Sequence, residues 1–305
     1  MTDRSAQTGV LLAIAAYTMW GIAPMYFKLL LDVPAPDILL HRIVWSMLIL
    51  LVLVLALGQL PKVRQAISNP KVMKVLLISG LLLGGNWLLF IWAINNDHLL
   101  DASLGYYINP LLNVALGRIF LGERLRKLQK YAVALALSGV VILVVSFGQV
   151  PWIALALAGS FGIYGLLRKQ VAVDSLPGLM LETLLMMPFA IAYWIWLASP
   201  ASNMFANSWD MNSILICAGI VTTAPLLCFT AAARRIMYST LGFFQYIGPS
   251  IMFVLAVFLY NEPLHQERLI TFALVWAGLA LFSFDSYRHF RNNRKAMKLK
   301  LVSQE

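Results

Sequence analysis

Few side chains in this sequence could hold or exchange charge inside an apolar run, and those few set the chemistry. His41 and Arg42 sit together about one turn into one such run. Glu182 lies in another, among Leu179, Met180, Leu181, Leu184 and Leu185. Charge inside an apolar span is expensive and marks solute paths or proton relays. Glu182 has no countercharge close in sequence. It is suited to take up and release a proton as its surroundings change between conformations, so Glu182 and His41 are the coupling candidates. The plainer alternatives are that Arg42 reaches the interface along its flexible stem and that Glu182 forms a static pair, with Arg42 or Arg118. Arg118 lies about one turn from the end of its run, where snorkelling is the simpler reading.

Amides come next. Asn86 follows Gly84-Gly85, Asn109 precedes Pro110, Asn113 is one helical turn beyond it, and Gln245 lies in a later run. Amides at such positions need partners, because lipid offers none; the partners are a neighbouring helix or a solute. Trp20, Trp87, Tyr107 and Tyr246 lie beside Gly, Pro or amide positions, where a cavity fits. With Arg42, Asn86, Asn109, Asn113 and Gln245 they form the expected substrate-binding set. An aromatic cavity with few charges favours flat, amphipathic solutes over inorganic ions.

Other chemistries find no support. The four His residues, 41, 98, 265 and 289, fall in separate segments, and no metalloprotease signature or phosphate-binding glycine loop occurs. No metal, cofactor or enzymatic activity is expected. Cys217 and Cys228 share one run, roughly 16 Å apart at helical rise, too far for a mutual disulfide.

These residues must be held by elements that lie in lipid. The 305 residues are 61% hydrophobic and 12% charged, with a mean hydropathy of +0.79. A soluble domain carries roughly 25% charged residues. Ten apolar runs of about membrane-spanning length lie near 8–28, 38–58, 72–94, 102–121, 128–147, 150–167, 177–197, 211–231, 240–260 and 268–286. Pro24, Pro110, Pro188, Pro225 and Pro249 interrupt the helical ladder inside them.

The runs form two copies of one unit. Ser103-Leu104-Gly105-Tyr106-Tyr107 leads to Ile108-Asn109-Pro110, with Glu123 thirteen positions after the proline. Thr240-Leu241-Gly242-Phe243-Phe244 leads to Ile247-Gly248-Pro249, with Glu262 again thirteen positions on. The pair Gln245-Tyr246 is inserted in the second copy. Gly80 matches Gly219 and Gly139 matches Gly278 at an offset of 139; Trp20-Gly21-Ile22 matches Phe161-Gly162-Ile163 at 141. Residues 8–148 and 149–287 are thus expected to be two five-helix repeats, followed by a basic tail, 288–305.

Charge gives the sidedness. With the N-terminus cytoplasmic, most of the 23 Lys and Arg residues fall inside, among them Lys62, Arg64, Arg124, Arg126, Arg168, Lys169, Arg234, Arg235 and the tail, while Lys28 and Arg268 fall outside. The net charge of +10 is therefore topology, and the tail faces anionic lipid rather than nucleic acid. An odd number of spans per unit inverts the second copy. The basic link 59–74 answers to 198–210, which has no Lys or Arg. Inverted repeats of this kind belong to secondary transporters, with a site where the units meet. The small residues Gly139, Gly278, Ala134 and Ala273 allow close approach in the fifth and tenth spans, serving either internal packing or a homodimer contact.

Residues 8–287 resemble the drug/metabolite transporter superfamily, with two EamA-type units. The segments Ala15-Ala16-Tyr17-Thr18-Met19-Trp20-Gly21-Ile22-Ala23-Pro24, Gly84-Gly85-Asn86-Trp87, Ala102 to Leu111 and Ser239 to Pro249 are similar to its RarD branch, labelled chloramphenicol-sensitive proteins. The resemblance implies a bacterial inner-membrane protein with ten helices around a central cavity. The expected fold is therefore an all-α polytopic membrane protein of ten helices. The expected function is secondary transport of a small organic drug or metabolite by alternating access, with export as the family direction. The rival is a membrane sensor or structural protein without net transport.

Overall fold

A computed structural model describes residues 3–30, 32–95, 98–148, 150–259 and 266–302, and among these it is helical with no β-strand. The helices are α1 (Asp3–Phe27), α2 (Ala35–Ala56), α3 (Leu60–Ile67), α4 (Pro70–Asn95), α5 (Leu99–Leu121), α6 (Lys127–Phe147), α7 (Trp152–Gln170), α8 (Ser175–Trp196), α9 (Trp209–Ala233), α10 (Tyr238–Phe244), α11 (Ile247–Val254) and α12 (Gln266–Val302). Among the described residues eight segments are long and apolar enough to cross a bilayer. The expected fourth and sixth spans correspond to α5 and α7, which fall outside those eight. Both carry polar groups, with Asn109, Asn113 and Arg118 on α5 and Arg168 and Lys169 on α7. These two helices pack on each other.

Three features differ from the sequence reading or sharpen it. The basic link after α2 contains a short helix, α3, started by Pro61 in its first turn. It buries Val63 and Ala66 against α8 and leaves Lys62 and Arg64 outside. The expected ninth span is broken: α10 stops at Phe244 and α11 starts at Ile247, so the inserted Gln245-Tyr246 is the break itself. A π-helical turn, Leu255–Leu259, follows α11. Finally, the backbone of α12 stays helical into the basic tail as far as Val302. The Asn261-Glu262 end of the second motif copy, Asp97 and His265 lie outside the described residues.

The pairs that pack are α1 with α9 and α11, α2 with α8 and α9, α4 with α7 and α8, α5 with α7 and α10, and α6 with α12. The main core draws Ala16 and Tyr17 from α1, Leu50 from α2, Leu83 from α4, Leu181 from α8 and Phe229 from α9. A second core joins α6 and α12 to α10, where the rings of Phe243 and Phe282 stack at 4.1 Å. Large apolar side chains remain exposed around the outside, such as Leu11, Val52, Ile119 and Phe189. That suits a lipid-facing surface and would be a liability in water.

The α6–α12 contact gives two of the small residues partners within the chain. A Cβ at Gly139 would lie 3.1 Å from the Thr271 carbonyl oxygen, and one at Gly278 would lie 2.7 Å from that of Ala132. The Thr271 hydroxyl donates to the Gly139 carbonyl at 3.1 Å. Both glycines therefore serve contact within the chain, while Ala134 and Ala273 stay exposed beside it. Helix backbones approach this closely only where side chains are absent.

Candidate functional site

A cavity lies where α2, α4, α8 and α9 meet. Its polar wall is Arg42 and Ser46 from α2, Thr183 from α8, and Thr222 and Thr223 from α9, with Trp87 from α4 and five aliphatic or Met side chains completing it. The water-accessible space is about 10 Å³, room for roughly one water molecule. Little free space remains between these side chains. Arg42 Nε donates to Thr222 Oγ1 at 2.8 Å. Its guanidinium carbon lies 4.7 Å from the centre of the Trp87 ring and 5.7 Å from that of Phe27, within the range of cation–π attraction. The Thr183 hydroxyl donates to the Leu179 carbonyl of its own helix at 2.8 Å. Thr223 Oγ1 is buried without a partner.

The amides serve a second cluster. Asn109 Nδ2 donates to the Ala158 carbonyl at 2.7 Å. Asn113 Nδ2 donates to Asn109 Oδ1 at 3.0 Å and to Gln245 Oε1 at 2.9 Å. This chain ties α5 to α7 and to the break between α10 and α11. Asn86 Nδ2 donates to the Leu157 carbonyl and to Ser160 Oγ, both at 2.9 Å. The Tyr246 hydroxyl donates to the Tyr107 carbonyl at 3.2 Å, and the Tyr107 ring meets Phe272 edge-on. Trp20 packs among Tyr17, Phe161 and Phe229. Of the nine side chains expected to bind substrate, the structure brings Arg42 and Trp87 together at the cavity; the other seven sit in helix-to-helix contacts.

Glu182 forms a third cluster. It is fully buried on α8 and accepts a hydrogen bond from Ser79 Oγ of α4. Its countercharge is neither Arg42 nor Arg118 but Arg168, whose Nε is 3.7 Å from Glu182 Oε1 with neither side chain exposed. By sequence Arg168 belongs to a basic cytoplasmic segment. The chain instead stays helical to Gln170, and the side chain turns inward over Gly178, where a Cβ would collide with the guanidinium. Arg168 Nη2 also donates to the Ser175 carbonyl at 3.1 Å. Glu182 Oε2 and the nearby Tyr164 hydroxyl have no partner by geometry.

His41 is buried beside the cavity wall without lining it. Trp45 Nε1 donates to His41 Nδ1 at 3.2 Å, which leaves Nε2 to carry the imidazole proton, with no acceptor. Arg118 is exposed at the end of α5.

Two carboxylates matter more than their sequence context suggests. Asp37 in the first turn of α2 is fully buried. It accepts from the Tyr193 hydroxyl at 2.8 Å, from the Ser199 amide at 3.1 Å and from Ser199 Oγ. Glu123, the acid that ends the first motif copy, accepts from the amides of Tyr238 at 2.5 Å and Ser239 at 2.8 Å, and from Ser239 Oγ at 2.7 Å. It caps the start of α10, where free amides and the helix dipole favour an anion. Position at a span end hides such roles in a sequence; the recurring Pro-to-Glu spacing was the available signal. Among the described residues no group of His, Cys, Asp and Glu side chains could hold a metal ion.

The model of the EamA-like transporter family matches residues 7–145. A Vibrio cholerae protein described as an uncharacterized transporter is 58% identical, over 96% of this chain and 98% of its own length. Protein RarD of Escherichia coli is 51% identical over 97% of this chain and its full length. The chloramphenicol-sensitive protein RarD of Pseudomonas aeruginosa is 31% identical over 96% of this chain and 99% of its own. A solved crystal structure, 20% identical, superposes with a TM-score of 0.72 over 91% of this chain and 98% of its own, a likeness of fold.

Proposed function

The chain belongs to the EamA-like transporter family, in the branch of the RarD proteins, and on that premise we propose that it moves a small organic solute across the bacterial cytoplasmic membrane by alternating access, in the direction of export. It is a multi-pass membrane protein. The proposed arrangement has ten spans, with α3 outside them and α10 and α11 forming one, in two inverted five-helix units that meet at the cavity. Both termini are cytoplasmic.

The observation that carries this reading is a set of contacts that repeats when the two units are exchanged. Gly21 of α1 lies against Ile251 of α11, and its counterpart Gly162 of α7 lies against Leu112 of α5, the counterpart of Ile251. Gly139 meets Thr271 as Gly278 meets Ala132. At the level of helices, α1 packs on α9 as α7 packs on α4, and α2 packs on α9 as α8 packs on α4. Arg42 and its counterpart Thr183 line one cavity. Such an interface gives a rocking transporter two equivalent ways to open.

Glu182 and His41 remain the candidates for coupling to a proton gradient, with Glu182 favoured because it is next in sequence to the cavity-lining Thr183 and faces a countercharge, Arg168, across the bundle. The test of transport is solute-dependent thermal stabilisation followed by counterflow in proteoliposomes, using a bacterial metabolite collection. Saturable counterflow of a stabilising compound is the expected result. Stabilisation with no flux would favour the sensor reading.

A further inference from the structure

Among the described residues, charge accounting inside the bundle leaves the Arg42 guanidinium without a carboxylate. Among the described residues three carboxylates are buried: Asp37, Glu182 and Asp285. Asp37 is held by Tyr193 and Ser199. Glu182 is held by Ser79 and Arg168. Asp285 pairs with Arg126 at 2.5 Å. Arg42 has no carboxylate within ion-pairing distance among the described residues, and Thr222 is the hydrogen-bond partner of its Nε alone. Its terminal amino groups, the strongest bidentate donors a protein has for an anion, have no acceptor among the described residues. They lie in a cavity whose wall contains no acid.

An unbalanced charge in such a place is costly unless something compensates it. The rings of Trp87 and Phe27 supply part of the compensation, but cation–π contacts are weak beside the cost of an unpaired charge away from water. On the same cavity wall, Thr223 Oγ1 is a buried hydroxyl with no partner, a second donor waiting for an acceptor. Resting on the transport reading above, we infer that the cavity takes the charged group of a singly charged organic anion, a carboxylate, with Arg42 as its counterion and Thr223 as its second hydrogen-bond donor. The apolar part of the solute lies against Trp87, Leu179, Met186 and Leu226. Widening of the cavity admits the solute, and in the present narrow form Thr222 holds the guanidinium.

The experiment uses three probes with one ring system: indole-3-acetate, indole-3-acetamide and tryptamine, an anion, a neutral isostere and a cation. Affinity is read from thermal stabilisation of the purified full chain in lipid nanodiscs, and transport from counterflow in proteoliposomes. The anion is expected to bind about tenfold or more tightly than the amide, as a hydrogen-bonded ion pair requires, and the amine not at all. In Arg42→Gln the acid-to-amide ratio falls to about one, and Arg42→Lys restores part of it. Thr223→Val weakens the anion severalfold with the ratio reduced in proportion, which decides the matter should Arg42→Gln fail to fold. Equal binding of acid and amide, preference for the amine, no stabilisation by any probe, or an acid preference that survives Arg42→Gln would each overturn the inference. The transport reading fails separately: acid preference without counterflow retains the anion site and removes transport, whereas counterflow of tryptamine without acid preference retains transport and removes the anion site.

Discussion

Arg168 and Glu182 leave helices on either side of a tight connection and meet inside the bundle, Nε to Oε1 at 3.7 Å, with both side chains fully buried. The pair has one good additional donor, Ser79, and leaves Arg168 Nε, Arg168 Nη1 and Glu182 Oε2 without hydrogen-bond partners. An ion pair so incompletely satisfied is a poor source of stability. It is better placed to change state, because exchanging one partner loses little.

Glu182→Gln keeps shape and removes the charge. In vesicles with normal protein levels, solute exchange should persist while accumulation driven by a pH gradient is lost. Unchanged gradient-driven accumulation would rule out a coupling role for Glu182.

Removing the other partner has a different cost. Arg168→Met leaves a buried carboxylate unpaired, and stability in detergent should fall by about 3–5 kcal/mol, the usual cost of breaking a buried pair from one side. The double variant Arg168→Met/Glu182→Gln should recover most of that loss. Equal melting temperatures for the single and double variants would show that the pair is not coupled.

The α6–α12 seam predicts a graded response. Gly278→Ala puts a methyl group 2.7 Å from the Ala132 carbonyl oxygen, so backbone must move; a loss of about 1–3 kcal/mol follows from overpacking. Gly139→Ala, with 3.1 Å available, should lose less. Gly85→Ala has nothing within 4 Å and should cost nothing. Thermal unfolding of the three variants checks the order.

Asp174, at the α7–α8 connection, bridges Lys62 of α3 at 2.7 Å and Arg234 at the end of α9 at 2.8 Å. The hydrogen bond from Lys62, then that from Arg234 and both charges, hold its carboxyl below the ordinary carboxylate range, against a smaller opposing effect of burial. A depressed folded-state pKa means a stabilising contribution present above the unfolded value, about 3.9, and lost as pH falls through the folded one. All three side chains are substantially exposed, so each pair is worth about 0.2–1 kcal/mol. Asp174→Asn should therefore melt slightly below the wild type at pH 7, and the gap should close as the pH drops below about 4 and shrink in high salt. A gap independent of pH would mean that the bridge is energetically silent.

Reporter fusions at Gln59, Asp97, Gln149, Asn207 and the C-terminus should read in, out, out, out and in. A cytoplasmic signal at Asn207 would break the proposed inversion of the second unit.

The helical class and most helix limits could be read from the apolar runs, because length and composition alone specify a membrane span. The inserted Gln245-Tyr246 marked a real discontinuity for the same kind of reason: two extra residues in an otherwise matched helix must be accommodated somewhere. α3 was missed because its two buried side chains, Val63 and Ala66, are too few to show a period. The contact between Arg168 and Glu182 was missed because a basic residue next to Lys169 reads as a solvated end. The cavity was the least legible part. Helices that meet lipid on one side and a packed core on the other are apolar all round, so sequence does not say which face turns to the centre. It marked Asn86, Asn109, Asn113 and Gln245 as needing partners but could not say that helices supply them, and nothing in it singled out Thr222 or Thr223.

The unpaired guanidinium of Arg42 has a consequence for voltage. An empty cavity carries one positive charge, and a cavity holding a singly charged anion carries none. In the proposed alternating-access cycle, reorientation of the loaded form would therefore drag no net charge through the membrane field, whereas reorientation of the empty form would. A charge crossing the whole field is worth about 2.3 kcal/mol per 100 mV, and a potential negative inside favours the empty site that faces the cytoplasm. A cell with an energised membrane would thus hold the unloaded protein ready to receive solute from within, using the resting potential and no coupling ion for that half of the cycle.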